Sequence, residues 1–309
     1  EHLLGDYADH LEFQGRRSHA DVRSIIKLHV LEPWPQVASL PANQVTGEQI
    51  ADMMRRVVEL GKDRTANKLR SYVRAAYQTA KAARSKASIP LRFKGYRVTH
   101  NPAADTEPDE SANRADKNPL SLEELRAYWL AIKTMAGFKG AVLRLHLLTG
   151  GQRIEQLVNL RTADIDAGAF TLYDGKGRPG KPPRPHTIPL IPEAALALLA
   201  CQPEGIYALS TDGGNTHLAA TTLSAWAVEA AAGIDGFQTK RIRSGVETLL
   251  ASGRVSSDIR GRLQSHGIAG VQARHYDGHD YMDEKRDALA LLLRLLQEQS
   301  ANVVHIKTA

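Results

Sequence analysis

Residues 169–190 read AFTLYDGKGRPGKPPRPHTIPL. The two ends, AFTLY and HTIPL, hold β-branched and aromatic residues, and the middle is Gly, Pro and Lys. That order predicts a short antiparallel hairpin. On either side of it the pattern is helical, with apolar residues three and four apart. Helices are expected over 121–135, 139–149, 153–160, 192–200, 219–232, 239–252, 256–263 and 283–299. The fold class that follows is mainly α with a small antiparallel β-sheet.

Working outward, the first of those helices has a clear start. Ser121 is a good N-cap, and Glu124 three residues on completes a capping box. The stretch before it, THNPAADTEPDESANRADKNP at 99–119, is rich in Pro, Asn, Asp and Ala and reads as an acidic linker. Upstream of that, residues 16–97 read as helical, with the clearest periodicity from Gln49 to Val58 and from Asn67 to Ala83. The expected organisation is a helical domain over 1–98, a linker over 99–119, a mixed α/β domain over 120–300 and a tail over 301–309.

Between 50 and 97 thirteen bases face three acids, Asp52, Glu59 and Asp63. Such a surplus is either a solvated helix face or a surface that lies on phosphates. Lys68, Arg70 and Arg74 on the second helix are the candidates for that contact. The whole-chain charge of +6 is compatible with a polyanionic partner. A single cysteine, Cys201, rules out an intramolecular disulfide and argues against a cysteine-based metal site. No run reaches the roughly 18 apolar residues of a membrane span. The N-terminus, EHLLGDYADH, has no basic region followed by an apolar run, so no secretory signal is read and a cytoplasmic protein is expected. It also lacks an initiating Met, which suggests a missing N-terminal part.

Five short stretches could carry chemistry. In LLTGGQRIEQLVNLRTADID, 147–166, a Gly-Gly turn is followed by Arg153 at a helix start, well placed to meet an anion. In DGKGR, glycines flank Lys176 on the hairpin, where an ammonium can reach out and give up a proton. In FQTKRIRSGVETLLASG, 237–253, Lys240 and Arg243 are three apart on one helix face. In GRLQSHGIAG, 261–270, His266 lies near a helix end. In VQARHYDGHDYMDEK, 271–285, Tyr276 and Tyr281 lie among His275, His279 and Arg274. Taken singly, each reads as well as an ordinary surface residue.

Taken together and in order, the five stretches resemble the motifs of the tyrosine recombinase, or phage integrase, family. LLTGGQRIEQLVNLRTADID is similar to its first arginine box, DGKGRPGKPPRPHTIPL to its hairpin lysine segment and TKRIRSGVETLLASG to its H-x-x-R helix. LQSHGIAG is similar to its L-G-H box and ARHYDGHDYMDEKRDAL to its tyrosine segment. The basic helical domain matches the family's core-binding domain in size and place, so the resemblance covers nearly the whole chain.

The resemblance implies a site-specific recombinase that breaks and rejoins DNA through a 3′-phosphotyrosine. Arg153 and Arg243 would grip the non-bridging oxygens and His266 would hydrogen-bond the same phosphate. Lys176 would protonate the leaving 5′-oxygen, and Tyr276 would be the nucleophile. Neither metal nor cofactor nor ATP is implied. The implied partners are double-stranded attachment sites, four protomers on two sites from a free monomer, and accessory bending or directionality factors. Two domains would wrap the duplex, and the β-prone run Val303 to Ile306 would dock on the same or a neighbouring protomer.

Two positions depart from the family. Lys240 stands where its motif has His; a lysine can donate to a phosphate but is a poorer base. Gln156 stands where an acidic residue often supports the first arginine. Tyr276 lies closer than Tyr281 to the expected distance from His266, and its Y-D-x-H context matches; Tyr281 would then pack or hydrogen-bond, and His279 would touch phosphate or tyrosine. Three other readings remain: a zinc site at His275 and His279, an architectural DNA-binding protein without activity, and a type IB topoisomerase.

Overall fold

The structure, a computed structural model, describes residues 1–16, 18–113, 118–175, 182–266 and 278–298. These fall into two compact units that divide ahead of Asn118. Lys176, His275, Tyr276 and the 301–309 tail lie outside the described residues.

In the N-terminal unit, helices α1 (His2–Phe13), α2 (His19–Ile26), α3 (Pro35–Ser39), α4 (Gly47–Glu59) and α5 (Asp63–Ala82) share one core. The first lies ahead of the helical stretch expected from 16. A capping box starts α4: Thr46 Oγ1 accepts from the Gln49 N–H at 3.2 Å, and Gln49 Oε1 accepts from the Thr46 N–H at 3.0 Å. Along α5 the buried residues Ala66, Leu69, Val73, Ala76, Tyr77 and Ala80 recur at three- and four-residue spacing. They join Leu4, Ala8, Val22, Ile26 and Phe93 in the core.

The acidic stretch carries more structure than its composition suggests. Its first part is strapped along one face of α5, through residues three to four apart. Arg64 Nε donates to the Ala112 carbonyl at 3.0 Å. Asn67 makes paired bonds with the Asp109 backbone, 2.7 and 2.9 Å. Arg70 Nε donates to the Thr106 carbonyl at 3.1 Å and to its Oγ1 at 2.9 Å, and Asn101 Nδ2 donates to the Arg74 carbonyl at 2.9 Å. Pro102, Ala103 and Thr106 are buried there. Composition registers the missing large apolar residues of 99–113; it does not register backbone bonds to a distant helix.

In the C-terminal unit, the expected capping box forms: Glu124 Oε2 accepts from the Ser121 N–H at 2.8 Å, and Ser121 Oγ accepts from the Glu124 N–H at 3.2 Å. It starts α6 (Leu122–Lys133), followed by α7 (Gly137–Leu148) and the four-residue α8 (Ile154–Leu157). The last is shorter than the expected 153–160. A three-stranded antiparallel sheet follows in the order β1 (Ile165–Asp166), β2 (Ala169–Asp174), β3 (Arg184–Pro189). The helices α9 (Pro192–Ala200), α10 (Ala220–Ala230), α11 (Thr239–Ser252), α12 (Ser257–Leu263) and α13 (Met282–Gln297) complete the unit. The fold is mainly α with a small antiparallel sheet, and α7 is central: Gly140 to Leu143 and Leu145 to Leu148 are buried.

Strand alternation decides what the hairpin buries. On β2, Phe170, Leu172 and Asp174 share the inward face, paired with Ile188, His186 and Arg184 of β3. The third inward position is therefore a carboxylate.

Candidate active site

The Gly-Gly turn after α7 is a conformational necessity. Gly150 and Gly151 have φ of +89° and +65°. A Cβ on Gly151 would sit 3.0 Å from the Arg243 Cα, and one on Gly150 would sit 3.3 Å from the Leu263 side chain. Only a residue without Cβ takes both the left-handed backbone and the close approach. The turn thus brings Arg153 up against the helix that carries Arg243.

A buried polar layer holds this arrangement from beneath. Gln152 Nε2 donates to the carbonyls of Thr149 (2.6 Å) and Leu263 (2.9 Å). Gln264 Nε2 donates to those of Gly150 (2.9 Å) and Arg243 (3.0 Å). His146 bonds the Gln152 carbonyl at 3.0 Å. His186 Nε2 faces two acceptors, Gln152 Oε1 at 3.3 Å and the Leu263 carbonyl at 3.1 Å, so that nitrogen carries the proton. Burial pushes His146 down to about 4 and His186 down to about 3, with Lys285 adding to the latter. Both are neutral, and the four side chains tie together loop segments more than a hundred residues apart.

Above that layer sit the two arginines. Arg243 donates Nη1 to the Gly151 carbonyl at 3.2 Å and Nη2 to the Gln264 carbonyl. Burial, reinforced by the Arg153 charge, lowers its pKa to about 10, which leaves it protonated at neutral pH. Arg153 donates both Nη groups to the Ser265 carbonyl at 3.3 Å, and Nη1 lies 3.4 Å from Asp174 Oδ2. Carbonyl partners orient a guanidinium without cancelling its charge. The place can therefore grip an anion through fork-shaped donors.

His266 follows Ser265 and is half-buried, its N–H bonded to the Gly261 carbonyl at 2.9 Å. Burial first, then the Arg243 and Arg153 charges, hold it below the ordinary histidine value. A neutral imidazole there can donate one hydrogen bond. Lys240 lies one turn before Arg243 on α11 and is exposed.

The remaining candidates are placed separately. His279 is exposed, bonds Glu284 Oε1 at 2.9 Å and meets the Tyr281 ring edge-on at 4.5 Å. The Tyr281 ring lies under the Arg262 guanidinium, 3.9 Å from centroid to charge centre. In the N-terminal unit, Lys68 pairs with Asp21 at 2.7 Å, Arg70 is taken up by the strap, and Arg74 is exposed. Among the described residues no group of three or more His, Cys, Asp or Glu side chains could hold a metal ion. No helix among them is long and apolar enough to cross a membrane.

Three site residues escape the sequence reading: Asp174, Arg184 and Ser265. Asp174 reads there as part of the turn DGKGR. Extending the alternation Phe170, Leu172 by one step would have turned it inward. Nothing local marks Ser265, whose φ of +52° is set by the tertiary fold.

No family model and no curated protein matches this sequence. Solved structures do match. A lambda integrase (75–356) dimer bound to a COC′ core site is 21% identical, with a TM-score of 0.63 over 86% of this chain and 94% of that one. A lambda integrase tetramer bound to a Holliday junction is 20% identical, with a TM-score of 0.63 over 89% and 78%. The Tn1549 transposon integrase (82–397) in complex with circular intermediate DNA is 15% identical, with a TM-score of 0.61 over 92% and 98%. The chain has the fold of the tyrosine recombinase, or phage integrase, family.

Proposed function

We propose that the protein is a site-specific DNA recombinase that integrates or excises a mobile element through a 3′-phosphotyrosine intermediate. One observation carries the reading. Arg153 and Arg243, from segments far apart in sequence, converge beside the half-buried His266, aimed by backbone carbonyls and, for Arg153, by the Asp174 carboxylate as well. Support comes also from the fold, shared with integrases solved on a core site, a Holliday junction and circular intermediate DNA.

In this reading Arg153 and Arg243 hold the non-bridging oxygens of the scissile phosphate as charge builds on them. His266 donates a hydrogen bond to the same phosphate, and Lys240 does so in place of the usual histidine. Tyr276 attacks phosphorus and gives up its hydroxyl proton to solvent; the O–P bond to the 5′-oxygen breaks, and Lys176 supplies the proton that oxygen needs. A 5′-hydroxyl from the second site reverses the step and rejoins the strands. Four protomers act on two double-stranded attachment sites, an arrangement extended from the lambda integrase tetramer. From the helical domain Arg74 contributes a phosphate contact, while Lys68 and Arg70, already engaged by Asp21 and Thr106, contribute less.

Covalent trapping tests this. The protein is incubated, with EDTA present, on a nicked suicide substrate from its element's attachment site and run on a denaturing gel. The expected result is a protein–DNA adduct that Tyr276→Phe abolishes and Tyr281→Phe retains. Loss in Tyr281→Phe alone would move the nucleophile. Tight binding without any adduct would leave a DNA-binding protein and end the recombinase reading.

A further inference from the structure

Arg153 needs a support, and the helix that follows it supplies only the exposed Glu155. Gln156 stands three residues on, and its Oε1 is buried with no hydrogen-bond partner among the described residues. The carboxylate comes instead from the sheet. Asp174, the last residue of β2, is 7% exposed, and its Oδ2 lies 3.4 Å from Arg153 Nη1, 3.6 Å from Arg184 Nη2 and 3.1 Å from Ser265 Oγ.

Ser265 closes the circuit. Its Oγ donates to Asp174 Oδ2 and accepts from Arg184 Nη2 at 2.8 Å, while its carbonyl accepts from both Nη groups of Arg153. The residue is 2% exposed and has a φ of +52°. A glycine would hold that backbone without strain. The serine there brings a hydroxyl that hydrogen-bonds to both Asp174 and Arg184, and observed strain of this kind points to a role in the site. Ser265 also directly precedes His266, so the same pin sets where the histidine begins.

We infer that Asp174 and Ser265 are the positioning pair for Arg153, with Arg184 locking the serine hydroxyl, in place of an acid on the helix after Arg153. The inference rests on the recombinase reading. Among the described residues Asp174 meets the Arg153 and Arg184 guanidiniums and the Ser265 hydroxyl, so its role is to position them. It fixes the plane of the Arg153 guanidinium and offsets repulsion among Arg153, Arg184 and Arg243, so the fork meets the phosphate ready-made. Asn in its place keeps shape but loses the charge that three arginines share.

The test compares wild type, Asp174→Asn, Asp174→Glu and Ser265→Ala as full chains. Single-turnover adduct formation is measured at saturating protein on the suicide duplex, together with the Kd for that duplex and Tm. A second duplex carries a neutral methyl in place of one charged oxygen of the scissile phosphate. Asp174→Asn is expected to cut the rate about 10- to 100-fold, with Kd within about twofold of wild type. Ser265→Ala should cost about 3- to 10-fold, and Asp174→Glu should recover part of the loss. On the methyl-bearing duplex the Asp174→Asn deficit should shrink below about threefold, because less charge remains for Arg153 to hold. Equal rates for wild type and Asp174→Asn would overturn the inference. So would a deficit of the same size on both duplexes, which is what a merely structural role predicts. If Asp174→Asn lowers Tm sharply, the better-tolerated Ser265→Ala decides by the same two criteria. Absence of any wild-type adduct would instead remove the recombinase reading, and this inference with it.

Discussion

On α5 of the N-terminal unit, Lys68 reaches the Asp21 carboxylate at 2.7 Å and Arg70 spends its guanidinium on Thr106. Nearby, Arg23 is held by Asp9 and Glu12, both at 2.7 Å. In the C-terminal unit, Arg243 rests on the carbonyls of Gly151 and Gln264, and Arg153 on that of Ser265 plus one shared carboxylate. The first region is rich in cations by count, yet acids or the chain's own backbone already occupy several of them. The second holds fewer, but its partners are mostly neutral, so positive charge is left for an incoming anion. A count of bases measures charge; the partners determine how much of it is available.

The sharpest way to break that comparison is to remove the best-oriented cation. Arg243→Ala should reduce adduct formation by about 10³-fold or more while duplex binding persists. A loss no larger than that of an α5 variant would erase the distinction between the two regions.

Next is the turn that builds the second region. Gly151→Ala places a Cβ 3.0 Å from the Arg243 backbone, on a residue with φ +65°. A loss of about 2 kcal/mol in folding stability is expected, read by urea unfolding, with adduct formation falling too. Gly15, also at positive φ but with open space around it, should respond less.

Acid should expose the buried layer under the arginines. His186 and His146 sit at about 3 and about 4 when folded, below the ordinary 6.5. Between those values the unfolded chain binds more protons, so stability is complete above about pH 6.5 and falls as pH drops toward 4. The slope is at most about 1.4 kcal/mol per pH unit for each histidine. Urea midpoints across that range check it, and His186→Gln should flatten the curve. An unchanged slope would mean the layer is not what acid attacks.

The smallest effects separate the α5 cations one by one. Arg74 is exposed, and its side chain has no hydrogen-bonded or ion-paired partner among the described residues. Arg74→Ala should lower the slope of log K against log salt by about 0.9, one phosphate contact. Arg70→Ala should change that slope less and instead lower stability by about 1 kcal/mol, since it releases the Thr106 bonds. Equal salt slopes for the two variants would return Arg70 to the DNA interface.

Much of the fold was legible locally. The Ser121–Glu124 box, the 239–252 helix and the AFTLY and HTIPL strands depend on neighbours within a few residues, and all three form. The order of Arg153, Lys240, Arg243 and His266 was legible as well. Asp174 was not, because a turn-like DG dipeptide masked a strand position whose side chain faces inward. The strap at 101–112 was not, because its bonds run to α5 across 27 to 48 residues.

What the sequence by itself determined is therefore the set of elements, their caps, and the series of cationic and imidazole side chains strung along them. Only the tertiary structure decided which carboxylate steadies Arg153, which serine is bent into a left-handed backbone beside His266, and which bases of α5 are already engaged. The physical reason is range. Helix periodicity, capping and strand alternation act between residues a few positions apart, so they leave a mark in the local pattern. The partner of a guanidinium is chosen by whatever the packed core brings within about 3 Å of it, and that residue can lie anywhere in the chain.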